Sequence, residues 1–307
     1  AAALQERHSL ASLETGLPSQ ELRTTMTSNA CGEFPEFEKF AFLELAWKQE
    51  DECEAETDDL IPNMGVRAPA CLEQVGTVLS LLDRMATCWW VCRRGDHLVE
   101  YLCGRVVSNA RATLRMLRFG FYDEALLLCR AMGETSNLLQ LFATDKESLR
   151  SWKSASRSER IREFGPAKVR IRLEKQTGPS VNKERYRLLS ERAAHVTPDT
   201  KPQSHNALGM PTAVPIIQEA GLLVCLNELA LALSTATAFG ALVLELDDEL
   251  RKRITSEARA LIENIGGATI TEIDEYHRRV MESSRAQEHR KYVAEMLRRI
   301  HDDRRNS

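Results

Sequence analysis

The sequence predicts an all-α protein. Apolar residues recur at helical spacing through most of the chain, and no stretch shows the two-residue alternation of a half-buried strand. Proline and glycine are also sparse, 10 and 15 among 307 residues. Apolar residues at 43% and charged residues at 28% are ordinary for a globular chain with a real core.

Taken in order, residues 1–35 are polar, lack sustained periodicity and are expected to be disordered. Phe37 to Trp47 reads as a short helix. Glu50 to Asp59 then carries seven acids in ten residues, and Pro62-Asn-Met-Gly65 is a turn signal. A long helix is expected from about Arg67 to Arg93, with Val75, Val78, Leu82 and Met85 near one face and Gly95-Asp96 breaking it. The next, from about His97 to Arg118, has a stripe of Val107, Ala110, Leu114 and Leu117, with Arg111, Arg115 and Arg118 on the neighbouring face. The helix Asp123 to Ala143 is nearly all apolar apart from one seam: Arg130, Glu134 and Asn137 fall at i, i+4, i+7 and share a face.

Thr144-Asp-Lys-Glu147 has the spacing of a capping box that opens a short helix through Trp152. Gly165-Pro166 and Gly178-Pro179 bracket a basic segment, Ala167 to Lys175. A helix with Tyr186, Leu188, Leu189 and His195 follows, then a loop from Pro198 to Gly209. The long apolar helix, roughly Val214 to Leu246, has Glu228 as its only charge between Gly221 and Leu244. It is long enough to span a bilayer. Acidic flanks and the mid-segment Ser234, Thr235 and Thr237 favour instead a central helix buried on all sides, with no membrane partner. The tail carries two or three amphipathic helices, one with the stripe Leu250, Ile254, Ala258, Leu261 and Ile265. Another opens at Thr269-Ile-Thr-Glu272, and the last runs over Tyr292 to Ile300. Short turns imply antiparallel neighbours. The expected organisation is an acidic, largely disordered region 1–62, an antiparallel helical bundle over 63–246 and a charged helical extension over 247–307.

Charge is segregated. Residues 1–62 hold 4 basic against 14 acidic residues, residues 150–192 hold 13 against 5, and residues 246–307 balance at 13 each. The basic segment suits phosphates or an acidic partner, the chain's own N-terminus included. Its aromatics are few, Trp152, Phe164 and Tyr186, so a base-stacking platform is not expected. The eight cysteines form no CxxC, and Cys88 and Cys92 are four apart; all are read as buried, reduced thiols of a cytoplasmic protein, with no metal site and no cofactor expected. Zincin, P-loop, dinucleotide-binding and hydrolase-elbow motifs are absent.

An arginine-rich helix, then Gly-Phe-Tyr-Asp-Glu-Ala-Leu-Leu-Leu-Cys-Arg-Ala-Met-Gly-Glu, then Tyr-Arg-Leu-Leu-Ser-Glu-Arg-Ala-Ala-His resembles the HEPN-like helical bundles. More narrowly, it resembles the DUF5677-like bacterial branch over about residues 100–245. The resemblance implies a dimeric bundle that binds or cleaves RNA without metal, in a toxin–antitoxin or phage-defence setting. His195 would be the general acid/base, and Arg130 and Glu134 would complete the catalytic group, the arginine stabilising phosphate charge. Ser190, Arg192, Asn137, Arg170 and Arg172 would line the binding site. The family signature places Arg before His with four to six residues between them. Here those positions are Leu188, Leu189 and Ser190, so the signature is not met. The alternative is a non-catalytic interaction module that recruits a protein partner through its charged tails. On the catalytic reading, His195→Ala and Arg130→Ala abolish RNA cleavage while far-UV circular dichroism is unchanged; unfolding of both variants marks the two residues as structural.

Overall fold

The computed structural model describes residues 41–64, 67–90, 92, 95–195 and 215–265, with isolated positions 287, 291, 295 and 298. The described residues form ten α-helices and no strand. Residues 1–45 and 46–307 are separate compact units. The N-terminal stretch read as disordered, the loop from Pro198 to Gly209 and the expected tail helices beyond Ile265 lie outside the described residues.

One helix, α1 (Ala41–Asn63), covers the described part of the predicted short helix, residues 41–47, and the acidic run. The region 1–62 is therefore not wholly irregular. Cys53 and Thr57, four residues apart, are buried, and Thr57 donates a 2.8 Å hydrogen bond to the Arg118 carbonyl. The acids that directly follow each of them meet the arginine ridge of α3 (Leu98–Arg118): Glu54 lies 2.9 Å from Arg115 and 2.7 Å from Arg118, and Asp58 lies 2.5 Å from Arg118. These described acids are thus paired with α3, and not with the basic segment at 150–192.

Helix α2 (Arg67–Ala86) stops short of the predicted Arg93. Its end is a Schellman turn: Trp89 N–H donates to the Arg84 carbonyl at 2.9 Å, Cys88 N–H donates to that of Met85 at 3.4 Å, and Cys88 takes a left-handed φ of 57°. In consequence Cys88 is half-buried and Cys92 exposed. The expectation of buried thiols holds for Cys53, Cys71, Cys103, Cys129 and Cys225 and fails for these two.

After α4 (Tyr122–Thr144), Asp145 caps α5 (Lys146–Ser154), accepting from the N–H groups of Glu147 and Ser148. The predicted cap, Thr144, instead ends α4 by donating to the Gln140 and Leu141 carbonyls. A capping box of Ser156 and Glu159 opens α6 (Arg157–Phe164), and Pro166 is the first residue of α7 (Pro166–Glu174). Asn182 caps α8 (Lys183–Ala193) by accepting from Arg185 N–H at 2.8 Å.

The core is organised by α9 (Glu219–Val243), which packs against α2, α3, α4 and α10 (Asp248–Ile265). Leu222, Leu229, Leu233 and Ala236 are fully buried. The helix is long and apolar enough to cross a membrane, yet 72% of its apolar window is covered by protein. Small residues let its neighbours approach: a Cβ on Gly221 would lie 2.5 Å from the Tyr122 ring, and one on Gly240 would lie 3.1 Å from Cys103 Sγ. Ser136 of α4 donates to the Ala232 carbonyl of α9 at 2.9 Å, joining the two helices further.

The predicted boundary at 246/247 is not a boundary in the packing. Ile254, Ala258 and Leu261 of α10 are buried against α2 and α9, and Gln74 of α2 donates to the Glu257 carbonyl at 3.0 Å. An amphipathic stripe at helical spacing needs an apolar surface to cover, and here the core supplies it. Leu261→Ala should destabilise the protein by about 2–5 kcal/mol, and Gly221→Ala, which drives a methyl into Tyr122, by about 1–3 kcal/mol. Both are read from urea unfolding midpoints at unchanged m-value.

Candidate functional site

Helix α4 presents its polar seam to the segment that runs from α7 into α8. Arg130 and Glu134 form an ion pair at 3.3 Å. The Arg130 guanidinium lies 4.5 Å from the Tyr186 ring centroid and donates to the Tyr186 hydroxyl. Arg170 of α7 lies 4.3 Å from the same centroid and forms no ion pair among the described residues. Two cations thus face one tyrosine ring, a geometry in which the ring quadrupole attracts each of them.

Farther along the seam the polar groups serve the fold. Asn137 is buried; its Nδ2 donates to the Val181 carbonyl at 2.9 Å and its Oδ1 accepts from Val181 N–H at 3.0 Å. Gln140 repeats the arrangement one turn on. It donates to the Gly178 carbonyl at 2.7 Å and accepts from Ser180 N–H at 3.0 Å. Gly133 makes room for Val181, whose side chain would be 2.6 Å from an added Cβ. The seam therefore pins the backbone that delivers α8.

One residue before Tyr186, Arg185 turns inward. Its Nε donates to Glu228 of α9 at 2.8 Å, with Glu228 only 2% exposed. The second Glu228 oxygen, one terminal nitrogen of Arg185 and the Nε of Arg130 are buried without a hydrogen-bond partner among the described residues. Burial pushes the Glu228 carboxyl above the usual carboxylate range, against the pull of Arg185 and Arg192. Cys129, beside it on α4, is raised as a thiol by burial and by the Glu228 charge. The result is a charged centre walled by α4, α8 and α9, with the guanidinium–tyrosine stack next to it.

The sequence-predicted residues divide accordingly. Arg130, Glu134 and Arg170 come together at Tyr186. His195 is exposed at the far end of α8, its N–H donating to the Ser190 carbonyl at 2.8 Å. Nine residues of helix separate Tyr186 from His195, about 13 Å along the axis. Ser190 is buried and donates to the Tyr186 carbonyl at 2.6 Å. Arg172 donates to Asp145 at 3.1 Å and to Ser148 and lies over Phe164. Asn137, Ser190 and Arg172 each hydrogen-bond within the protein. Arg192, half-buried on α8, acts on the Glu228 charge.

Arg185 and Glu228 do not stand out as site residues in the sequence, although one available signal was the lone charge on the apolar α9. No family model, no curated protein and no solved structure matches this chain.

Removing one partner of the inner pair leaves a buried charge, so Arg185→Met should cost about 3–5 kcal/mol in chemical denaturation. Because folding raises the Glu228 pKa, the folded state binds the proton more tightly than the unfolded chain. Stability from this group is therefore full below the ordinary carboxylate pKa and falls as pH rises through the raised value. Glu228→Gln should flatten that segment of the stability–pH curve. Asn137→Ala should cost about 1–3 kcal/mol for each Val181 backbone group left unpaired, measured in the same way.

Proposed function

We propose that this chain is a HEPN-like helical protein that binds RNA phosphates through the face carrying α6, α7 and α8. The observation that carries this reading is the pair of guanidinium groups, Arg130 and Arg170, at one half-exposed tyrosine, with Arg170 unclaimed by any described carboxylate. Lys168, Lys175 and Lys183 are exposed on the same run of helices. Arg130 is engaged by Glu134 and the Tyr186 hydroxyl, which leaves the Arg170 guanidinium as the group with N–H donors for phosphate oxygens. The Tyr186 ring is already covered by arginine, so bases are not its first partners. Binding of this kind is directed at the RNA backbone and gives salt-dependent affinity with little sequence preference.

Binding is favoured over cleavage. Cleavage through His195 and Arg130 together would need the two side chains side by side, and the Arg130 guanidinium meets Tyr186, near the opposite end of α8 from His195. Recruitment of a protein partner through the C-terminal region loses one of its surfaces as well, because the apolar stripe of α10 is already covered by α2 and α9.

The test is binding of a labelled single-stranded oligoribonucleotide across a salt series. The expected result is a linear fall of log affinity with log salt. The slope should shrink by roughly 0.7 for each phosphate that Arg170→Ala or Lys175→Ala leaves without its cation. Affinity independent of salt, or unchanged in both variants, sinks the proposal. RNA decay that persists in wild type and stops in His195→Ala would restore the catalytic reading.

A further inference from the structure

The turn between α2 and α3 carries a second cluster, built by residues apart from the α4–α8 site. Cys88 occupies the left-handed position of the Schellman turn, with φ 57°, where glycine is the usual residue. An L-residue there is strained by roughly 1–2 kcal/mol. His97 stands at the N-cap of α3, yet its side chain makes no capping hydrogen bond. Its Nδ1 lies 3.4 Å from Cys88 Sγ and 3.7 Å from a carboxylate oxygen of Glu100. The ligand atoms of Cys88, Cys92 and His97 all fall within 4.8 Å of one another.

Glu100 is the second, independent observation. It is 1% exposed, and neither carboxylate oxygen receives a hydrogen bond from the described residues. An ionised carboxylate so placed is costly unless a cation answers it. Among the described residues, the basic group paired with it is the His97 ring nitrogen that also faces Cys88. Bond lengths of about 2.3 Å to sulfur and about 2.0–2.1 Å to nitrogen at a tetrahedral centre separate the two donors by about 3.5 Å. That is close to the 3.4 Å between Cys88 Sγ and His97 Nδ1.

We propose that Cys88, Cys92 and His97 bind one divalent cation of the zinc class through three protein ligands, with the Glu100 carboxylate beside His97 Nδ1 as its neutralising neighbour. Two thiolates and an imidazole select zinc over magnesium or calcium, which prefer oxygen ligands. The spacing is Cys-x3-Cys-x4-His-x2-Glu. The bound ion joins the end of α2 to the start of α3 and neutralises the buried Glu100. The expectation from sequence that the cysteines take no part in a metal site is thereby replaced at this turn, where the helix ends before Cys88 and leaves Cys92 at the surface.

The experiment is titration of the reduced full-length chain with cobalt(II), followed by zinc(II). One equivalent of cobalt should produce a thiolate-to-cobalt charge-transfer band with the intense visible bands of four-coordinate cobalt, and one equivalent of zinc should bleach both. The charge-transfer band should weaken in Cys92→Ser and vanish in the Cys88→Ser/Cys92→Ser double variant. Glu100→Gln should weaken zinc binding by roughly 10–100-fold in chelator competition, with far-UV circular dichroism unchanged. Cys92 is exposed, so its serine variant keeps the fold and remains decisive even where the double variant does not fold. Three results overturn the proposal: no cobalt uptake by the reduced protein, a six-coordinate spectrum without the sulfur band, or wild-type affinity in Cys92→Ser.

Discussion

Glu228 is the constraint on which the arrangement of the α4–α8–α9 region turns. Helix α9 is covered by α2, α3, α4 and α10, so its one mid-helix carboxylate has no route to water. A charge in that position must be answered or neutralised. Arg185 answers it from α8, and in doing so fixes the rotation of α8 about its own axis. With Arg185 turned inward, Tyr186 follows on the adjacent face and meets Arg130 and Arg170. The interior pair and the guanidinium–tyrosine stack are thus two consequences of one helix orientation.

Helix α4 supports that orientation from the other side. Arg130 holds Tyr186, while Asn137 and Gln140 hold the backbone at Val181, Ser180 and Gly178 just before α8 begins. Side-chain amides suit this task because each offers a donor and an acceptor to a peptide group. Gly133 completes it by leaving space for Val181. One seam therefore combines a charged end, which faces the stack, with a neutral end that fastens a connection.

The α2–α3 turn follows a different logic. Main-chain hydrogen bonds close the end of α2, and a cysteine sits where glycine would be unstrained. The same turn brings a histidine free of capping duty beside a carboxylate that accepts no hydrogen bond from the described residues. Strain, an idle cap position and a buried carboxyl without a hydrogen-bond donor among the described residues coincide within thirteen residues, Cys88 to Glu100. Their convergence gives this turn chemical meaning beyond linking two helices.

The helical class, most helices and the burial of α9 were legible in the sequence, because apolar periodicity and turn residues act locally. So was the α4 seam, since spacing alone places Arg130, Glu134 and Asn137 on one face. Helix ends were less legible: the α2 stop depends on Cys88 taking a left-handed conformation that no glycine announced, and α1 persists because Arg115 and Arg118 neutralise its acids. Periodicity says which face of a helix is apolar; it does not say what covers that face. Tertiary structure alone decided that α10 belongs to the core, that Asn137 meets backbone, and that Arg185 meets Glu228 while His195 stays exposed. Those outcomes depend on interactions between residues far apart in the chain, where the desolvation of a single charge outweighs local preference.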